Sequence, residues 1–347
     1  MQKADRSIRT EFQRKHPGIY LLDCENQEAM LEFLRDRGWI TTSERVLTAE
    51  RAGEGNMNCT VRVRTETRSF ILKQARPWVE KYPTIPAPWD RTVVEARFYE
   101  LVSTHPTLCA QMPRFLAYDQ ECHLLMLEDL GAAHDFTFLY RDETLDAEVL
   151  EWLIRYLVQL HGDFCNSERK EEFANHEMRT LNHYHIFVYP LLPENDFKLD
   201  AITPGLKDSA NRLLSDARYQ ETVTKLGEQY LEEDGDCLLH GDYFPGSWLR
   251  TDEGIRIIDP EFCFYGPAEF EIGVLVAHLY LARQPQSLIQ DAVTRYASQR
   301  RLNEPTMRQY AGVEIMRRLI GVAQLPLPYG LEEKEKLLSL SRRLVLS

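Results

Sequence analysis

One stretch of the sequence constrains the fold more than any other: CLLHGDYFPGSWLRTDEGIRIIDPEF, residues 237–262. It contains two short apolar runs, CLLHGD and IRIID, and each of them ends at an aspartate, Asp242 and Asp259. Short apolar runs bounded by turn residues are typical of buried strands, and Gly254 stands just before the second run. We therefore predict two strands that deliver Asp242 and Asp259 to the same edge, with Glu261 two residues further on.

The tripeptide HGD occurs twice, since His161 to Asp163 repeats it. The first copy ends the segment EVLEWLIRYLVQLHGDF, in which apolar residues recur every three or four positions. That spacing predicts an amphipathic helix, with Asp163 at its end and no acid-bearing strand after it. We expect a catalytic role at Asp242 and none at Asp163.

In the part of the chain before residue 131, the spacing of the apolar residues changes from helical to alternating. NQEAMLEFLRDRG predicts a helix with Asn26 as its N-cap and Gly38 closing it. From residue 49 to residue 74 the period becomes two, so CTVRVR and SFILKQ are predicted strands joined by the turn TETR, with Lys73 near the end of the second.

Three further segments complete the first part of the chain. ARPWVEKYPTIPAPWDR, residues 75–91, is rich in proline and is expected to be a loop. A helix is predicted from about residue 91 to residue 104, with Glu95 in its first turns, and HLLMLEDLG predicts a short buried strand that leads into a hinge. Helical patterns dominate after Gly131.

These patterns together predict an α+β protein with two lobes. Residues 1–25 are expected to form a loosely held N-terminal extension, 26–130 a lobe built on an antiparallel sheet, and 131–347 a mainly helical lobe. The amphipathic surface near 26–38 could pack on a neighbouring chain as easily as on its own lobe, so a homodimer is compatible with the sequence.

Composition excludes several classes of protein. The 347 residues carry a formal net charge of −13, which argues against nucleic acid as a partner because phosphate binding depends on clustered Lys and Arg. The longest mainly apolar run falls short of the roughly 18 to 20 residues of a membrane helix. The N-terminus lacks the apolar core of a signal peptide, and seven cysteines without a CxxC pair suit a reducing cytoplasm and give no zinc signature. We expect a cytoplasmic protein without a membrane partner.

The order of the polar residues matches the needs of phosphoryl transfer from ATP. That reaction requires held phosphates, a divalent metal and a carboxylate that orients the attacking hydroxyl. In GEGNMN, Gly53 and Gly55 allow backbone N–H groups to approach phosphate oxygens. Lys73 could meet the phosphates and pair with Glu95, although a lone strand lysine is usually a solvated charge.

The acids of the opening stretch supply the remaining parts. Asp242 would be the base for the acceptor hydroxyl. Asp259 and Glu261 would hold Mg²⁺, and Ser247 could add a weak oxygen ligand. Loop acids also commonly form turns, and each acid taken singly is compatible with that role.

The residues resemble the small-molecule kinases of the protein-kinase-like fold, which comprise aminoglycoside phosphotransferases, choline kinases and methylthioribose kinases. The similarity is greatest to the methylthioribose kinases, whose DPEFxFYGP context is matched by DPEFCFYGP at 259–267. It also covers GEGNMN, ILKQARP, WDR, LEDL at 127–130 and MRRLIGVA at 316–323.

The resemblance implies that the lobe of residues 26–130 binds nucleotide and that the lobe of residues 131–347 is catalytic and binds the acceptor. It implies that Asp242 is the catalytic base, that Asp259 and Glu261 bind magnesium, and that Lys73 binds phosphate. It further implies that the backbone from Glu128 to Leu130 receives adenine. The glycine-rich segment, with Asn56 and Asn58, joins the nucleotide site. Arg317 and Arg318 match an arginine pair that reaches the active site, whereas their sequence alone indicates a solvated helix face.

Two departures from the family pattern leave the acceptor open. Where methylthioribose kinases usually read HGDLHTGS, this chain reads HGDYFPGS, and where FDIG is usual it has FEIG with Glu271. A histidine replaced by Phe244 removes a hydrogen-bonding group and favours a less polar acceptor. We predict an ATP- and Mg²⁺-dependent phosphotransferase that phosphorylates a hydroxyl of a small molecule and is similar to the methylthioribose kinases. The alternatives are a kinase for another alcohol (an aminoglycoside, an amino alcohol or another sugar) and a nucleotide-binding pseudokinase.

Overall fold

The computed structural model describes residues 2–53, 57–165, 168–192, 197–325 and 327–347. The chain divides into two compact units, Met1–Ala133 and His134–Ser347. The division follows Ala133, whereas the sequence predicts a lobe boundary after Leu130.

The first unit is built on a five-stranded antiparallel sheet with the strand order β1-β2-β3-β7-β6. A separate pair, β4 and β5, forms a small two-stranded sheet. The strands and helices of this unit are β1 Val46–Arg51, β2 Cys59–Thr65, β3 Ser69–Gln74, β4 Trp78–Val79, β5 Tyr82–Pro86, β6 Phe115–Asp119 and β7 Leu124–Glu128, with α1 Gln2–Lys15, α2 Gln27–Asp36, α3 Arg91–Ser103 and α4 Pro106–Cys109.

The predicted hairpin and first helix are confirmed. β2 and β3 pair in register, with Val63 opposite Phe70, and both of these side chains are fully buried. The α2 helix packs Met30 and Leu34 into the same core. Asn26 Oδ1 accepts the N–H of Ala29 at 3.2 Å, which satisfies one of the donors that a helix N-terminus leaves unpaired.

The segment expected to be a loosely held extension is packed. Residues 2–15 form α1, and Phe12 meets the rings of Trp78 and Trp89 edge-on, at 5.5 and 5.1 Å between centroids. Leu22 is fully buried, and its N–H donates to Gln74 Oε1 at 2.8 Å. Burial of these side chains supplies the hydrophobic free energy that holds the segment on the sheet.

The prediction of a loop over 75–91 is wrong in part. β4 and β5 pair as an antiparallel ribbon, with Trp78 opposite Pro86. Proline is tolerated here because the ribbon has only two strands, so both of them are edge strands. The rest of the segment is irregular and leads into α3, which begins at Arg91 as predicted.

The second unit is mainly helical, and three short strand pairings are found among its described residues. β10 lies between β11 and β8, and β9 pairs with β12. Its elements are α5 Ala147–Asp163, α6 His176–His183, α7 Leu199–Ile202, α8 Leu206–Leu214, α9 Ala217–Glu232, α10 Ala268–Leu281, α11 Gln286–Ala297, α12 Glu304–Ile320 and α13 Leu331–Val345, with β8 Ala133–Asp135, β9 Cys237–Leu239, β10 Trp248–Thr251, β11 Gly254–Ile257 and β12 Phe264–Gly266.

The two acid-bearing strands exist as predicted, but their expected shared edge is wrong. β9 pairs with β12, placing Leu239 opposite Phe264, whereas β11 pairs with β10. The loops that follow β9 and β11 still meet, because His240 Nε2 lies 2.9 Å from the carbonyl oxygen of Ile258. A contact between loops therefore brings the two acidic segments together.

Helices α10 and α12 pack closely in the middle of the second unit. A Cβ added at Gly273 would lie 2.7 Å from Tyr310 Cβ and 2.8 Å from the carbonyl oxygen of Met307, which no side chain can tolerate. Gly273 therefore permits the close approach of the two helices. Within the parts of the chain that the structure describes, no helix is both long enough and apolar enough to span a bilayer.

Candidate active site

Lys73 and Glu95 form a buried ion pair within the first unit. Lys73 Nζ lies 2.8 Å from Glu95 Oε1, and the two side chains are only 4% and 0% exposed. β3 supplies the lysine and α3 supplies the glutamate. A solvated strand charge is thereby excluded, and the ammonium is held in a defined position by a charge-assisted hydrogen bond.

The glycine-rich segment is anchored by an arginine that sequence reasoning did not single out. Arg91 Nε donates to Asn58 Oδ1 and its Nη2 to the carbonyl oxygen of Met57, both at 2.9 Å. Gly53 has a φ of +70°, in the left-handed region, while Gly55 and Asn56 lie outside the described residues. The position of Arg91 after a proline-rich segment and at the start of α3 was the available signal.

The segment expected to receive adenine follows directly from β7. The N–H of Glu128 donates to the carbonyl oxygen of Arg114 at 2.9 Å, and the Glu128 carboxylate accepts from Arg114 Nε at 3.0 Å. Asp129 Oδ1 accepts from Arg62 Nε at 3.0 Å, and Leu130 is half-buried. Arg62 of β2 and Arg114, which directly precedes β6, thus hold this segment on the sheet.

The loop that carries Asp242 is clamped by Glu271 of α10. The backbone N–H groups of His240 and Gly241 donate to Glu271 Oε2 and Oε1, at 3.0 and 2.7 Å. Gly241 has a φ of +85°, and a Cβ there would lie 2.1 Å from the carbonyl oxygen of Phe262. Only glycine fits this turn, so the position of Asp242 is set by its backbone.

His161 of the first HGD binds the Glu271 carboxylate, which also binds the backbone of the second HGD. His161 Nε2 lies 2.9 Å from Glu271 Oε2, and His161 Nδ1 lies 2.7 Å from the Tyr296 hydroxyl. His161 and Glu271 are buried. The first copy lies in a helix as predicted, whereas its contact with Glu271 was not predicted, because the tertiary fold alone creates it.

Asp259 and Glu261 stand on a strained turn. Asp259 has a φ of +64° and is followed by Pro260, and Glu261 is buried with 5% of its surface exposed. Asn175 Nδ2 donates to the carbonyl oxygens of Glu261 and Cys263, at 3.0 and 2.9 Å, which fixes the turn. A left-handed aspartate costs free energy and is typical of functional turns.

The carboxylates of Asp259 and Glu261 suit magnesium better than a transition metal. Among the described residues no group of three or more His, Cys, Asp or Glu side chains could hold a metal ion. Two carboxylates with other oxygens from phosphates and water are the usual ligands of Mg²⁺. Ser247 is buried, and its hydroxyl donates to the carbonyl oxygen of Asp242 at 2.8 Å, so its hydrogen is engaged and only its lone pairs could face a metal.

Arg317 and Arg318 lie beside Asp242, contrary to the solvated face that their sequence alone indicates. Each arginine is 7% exposed, and their Nη2 atoms lie 3.9 and 3.6 Å from Asp242 Oδ1. Burial raises the pKa of Asp242 to about 6, and the opposing charges of Arg318 and Arg317 do not cancel that shift. A carboxylate with a raised pKa is a stronger base once it is ionised.

Solved structures define the class of fold. The chain matches a choline kinase from Cryptosporidium parvum with a TM-score of 0.54 and 16% identity, over 92% of this chain and 96% of that one. It matches the spectinomycin phosphotransferase APH(9)-Ia, solved with ADP and spectinomycin, with a TM-score of 0.51 and 15% identity, over 92% and 97% of the two chains. The predicted α+β, protein-kinase-like fold is confirmed.

The chain belongs to the phosphotransferase enzyme family, whose model matches residues 48–312. It is 27% identical to a methylthioribose kinase from Exiguobacterium sibiricum, over 69% of this chain and 62% of that protein. It is 29% identical to one from Yersinia pseudotuberculosis, over 72% of this chain and 63% of that protein. The chain therefore spans less than two thirds of the length of these relatives.

Proposed function

We propose that this protein transfers a phosphoryl group from ATP to a hydroxyl of a small molecule. The observation that carries the proposal is the setting of Asp242, a carboxylate on a loop clamped by Glu271 with two buried arginines beside it. Family membership supports the reaction class. Asp242 would accept the proton of the acceptor hydroxyl as that oxygen attacks the γ-phosphorus and the bond from phosphorus to the bridging oxygen breaks.

Each unit contributes its own residues to this function. In the first unit, Lys73 would bind phosphate oxygens, Gly53 and Asn58 would belong to the nucleotide-binding segment, and the backbone at 128–130 would receive adenine. In the second unit, Asp259 and Glu261, with Ser247 as a weaker donor, would hold Mg²⁺. When bound with nucleotide, the metal would neutralise the charge that develops on the phosphates.

We propose methylthioribose as the first acceptor to test, because the relatives at 27% and 29% identity carry the name methylthioribose kinase. A different alcohol is the second candidate, and the loop after Asp242 favours it. The Tyr243 hydroxyl donates to the carbonyl oxygen of Leu153 at 3.0 Å, and the Phe244 ring lies 4.7 Å from the Arg318 guanidinium carbon. Neither group matches the family pattern at these positions.

The cysteines support a reducing compartment, and we propose the cytoplasm. All seven are free thiols in the structure. Disulfides are rare in reduced compartments and common in secreted chains. A net charge of −13 supports a small-molecule acceptor over nucleic acid.

The test is release of ADP from Mg²⁺·ATP, with methylthioribose first and then spectinomycin, choline and a set of simple sugars. The product is identified by ³¹P NMR as a phosphate ester of the acceptor hydroxyl. Turnover that requires both acceptor and Mg²⁺ is the expected result. Thermal stabilisation by nucleotide without turnover on any acceptor would contradict the proposal and favour a nucleotide-binding pseudokinase.

A further inference from the structure

Glu314 of α12 is a buried carboxylate that binds both arginines beside Asp242. Arg318 Nε donates to Glu314 Oε1 at 2.7 Å, and Arg317 Nε donates to Glu314 Oε2. Only 2% of the Glu314 side chain is exposed. Burial alone would raise the pKa of Glu314, but the charges of Arg317 and Arg318 outweigh it and hold the pKa well below its usual value.

A histidine also binds Glu314 Oε1, and a tyrosine binds that histidine in turn. His278 Nε2 lies 3.0 Å from Glu314 Oε1, and His278 Nδ1 lies 2.6 Å from the Tyr140 hydroxyl. Burial lowers the pKa of His278 to about 4, so the ring is neutral at pH 7 and carries one N–H. An ionised Glu314 can only accept, so we assign that hydrogen to Nε2, and Tyr140 donates to Nδ1.

The hydrogen bonds to Glu314 decide which edge of each guanidinium faces Asp242. Both Nε groups are engaged by Glu314, and the Nη2 groups lie 3.9 and 3.6 Å from Asp242 Oδ1. These separations exceed the 2.7–2.9 Å that is typical of a direct guanidinium–carboxylate hydrogen bond. Arg318 Nη2 is buried and has no hydrogen-bond partner among the described residues.

The charges of these four side chains balance only while Glu314 is present. Arg317 and Arg318 carry two positive charges, and Asp242 and Glu314 carry two negative charges. Without Glu314, the two guanidinium groups would have Asp242 as their nearest carboxylate. A direct bidentate pair would occupy the carboxylate oxygens that a base must keep for the acceptor proton.

We propose that Glu314 is a positioning residue that keeps Arg317 and Arg318 from pairing directly with Asp242 and directs Arg318 Nη2 to an oxygen of the bound substrates. His278 and Tyr140 act through Glu314 by fixing its Oε1. The role rests on the proposed phosphotransferase function, because the substrate oxygen is that of the acceptor or of the transferred phosphoryl group. Both are hydrogen-bond acceptors that a guanidinium binds well.

Phe244 extends this arrangement to the position where the chain departs from its relatives. Its ring lies 4.7 Å from the Arg318 guanidinium carbon and 5.2 Å from the His278 ring. One face of the guanidinium is therefore covered, and the flat edge that carries Nη2 is the part directed toward Asp242. The Phe244 ring packs on the face of the Arg318 guanidinium, and Glu314 accepts a hydrogen bond from its Nε.

The test compares Glu314→Gln with the unaltered protein in two measurements. A crystal structure of the variant is expected to show a guanidinium nitrogen of Arg317 or Arg318 within about 3 Å of Asp242, as in a direct charge-assisted pair. With Mg²⁺·ATP and the acceptor found above, kcat is expected to fall by about 10-fold or more while KM for ATP changes little, a smaller loss than the roughly 10²-fold or more expected when the base itself is removed.

A double-mutant cycle separates positioning from general loss of stability. If Glu314 acts through the arginine pair, Glu314→Gln should lower kcat far less in an Arg318→Met background than in the native background. An equal fold-loss in both backgrounds would mean a structural role only and would overturn the proposal. Glu304→Gln is the matched control, since it breaks a 2.7 Å pair with Arg308 on the exposed face of the same helix and should leave kcat unchanged.

Two further outcomes keep the result decisive. If Glu314→Gln does not fold, Tyr140→Phe is the substitute, because it removes the hydroxyl that binds His278, which in turn binds Glu314. This variant should also lower kcat, by a smaller factor. An unchanged kcat would overturn the proposal. If the unaltered protein phosphorylates no acceptor, the proposed function fails, and the distance from the arginines to Asp242 in the variant crystal still decides the role of Glu314.

Discussion

At the scale of single residues, Asp242 combines a fixed backbone with a carboxylate that resists ionisation. Gly241 and Glu271 set its position, and burial raises its pKa to about 6 even with two arginines near it. A general base works best when its pKa lies close to the working pH and its geometry is fixed in advance. A fixed position and a pKa of about 6 are what we expect of the base that we propose.

Replacing Asp242 with Asn should lower kcat roughly 10²-fold or more, a size typical of lost general-base assistance. The amide keeps the shape of the side chain but cannot accept the proton. Stabilisation of the protein by Mg²⁺·ATP in a thermal shift should persist. Asp163→Asn is the control from the first HGD and should leave turnover nearly intact. A loss as large as that of Asp242→Asn would mean that the base had been assigned to the wrong HGD.

The raised pKa of Asp242 also predicts how its replacement changes stability with pH. The ordinary pKa of an aspartate is about 3.9, so folding weakens the ionisation of Asp242 and costs free energy above that pH. In protein free of metal and nucleotide, Asp242→Asn should therefore raise Tm at pH 7.5. The gain should shrink as pH falls through about 6 and vanish below about 4. A Tm equal to that of the unaltered protein at pH 7.5 would contradict the shift.

At the scale of elements, α10 holds the Asp242 loop by one carboxylate. Glu271 accepts hydrogen bonds from three groups: the backbone N–H of His240, the backbone N–H of Gly241 and Nε2 of His161. Backbone N–H groups that lose their partner in a buried site cost about 1–3 kcal/mol each. A longer side chain than the aspartate usual in related kinases can reach two successive N–H groups and a histidine of α5 together.

Glu271→Gln should lower the free energy of unfolding by about 1–3 kcal/mol, because one carboxylate oxygen becomes an NH₂ that faces a donor. Urea denaturation measures the change, and kcat should fall with it as the Asp242 loop loosens. Glu269→Gln is the control on the same first turn of α10, where the side chain accepts from the N–H of Asn303 at 2.7 Å near the surface. Equal losses in the two variants would contradict the clamp.

β3 and α3 are joined by the pair of Lys73 and Glu95, and its burial predicts an asymmetric response to mutation. Glu95→Gln leaves the ammonium buried without this carboxylate and should cost about 3–5 kcal/mol of unfolding free energy. The double variant Lys73→Met, Glu95→Gln removes both charges and should recover part of that loss in urea denaturation. Glu221→Gln, from an exposed pair with Lys225, is the control and should leave stability almost unchanged, because water screens that pair.

At the scale of the whole molecule, local patterns predicted elements better than they predicted partners. The hairpin of β2 and β3, the α2 helix with its Asn26 cap and the helix through the first HGD were all predicted, since each depends on periodicity or capping within one segment. The pairing of β9 with β12 was not predicted, because three-residue strands carry no signal for their neighbour.

The packing of α1 and the burial of Arg317 and Arg318 were not predicted for the same reason: both depend on contacts between distant segments. The α1 helix has Ile8 and Phe12 four residues apart, a helical spacing that could have indicated a packed face, but its contact with Trp78 is set by the fold. Arg317 and Arg318 look like basic residues that favour a helix C-terminus. Only the position of Glu314, three and four residues earlier, hinted that both charges could be buried.

The close contact of α10 with α12 has a consequence for engineering. Gly273 lets the helices approach, and each helix carries one of the carboxylates that fix the surroundings of Asp242: Glu271 on α10 and Glu314 on α12. A library aimed at a new acceptor should therefore vary Phe244, which lies against Arg318, and leave Gly273 unchanged. Even a methyl group there would shift one scaffold helix against the other, and the catalytic geometry would be lost before any new preference could be selected.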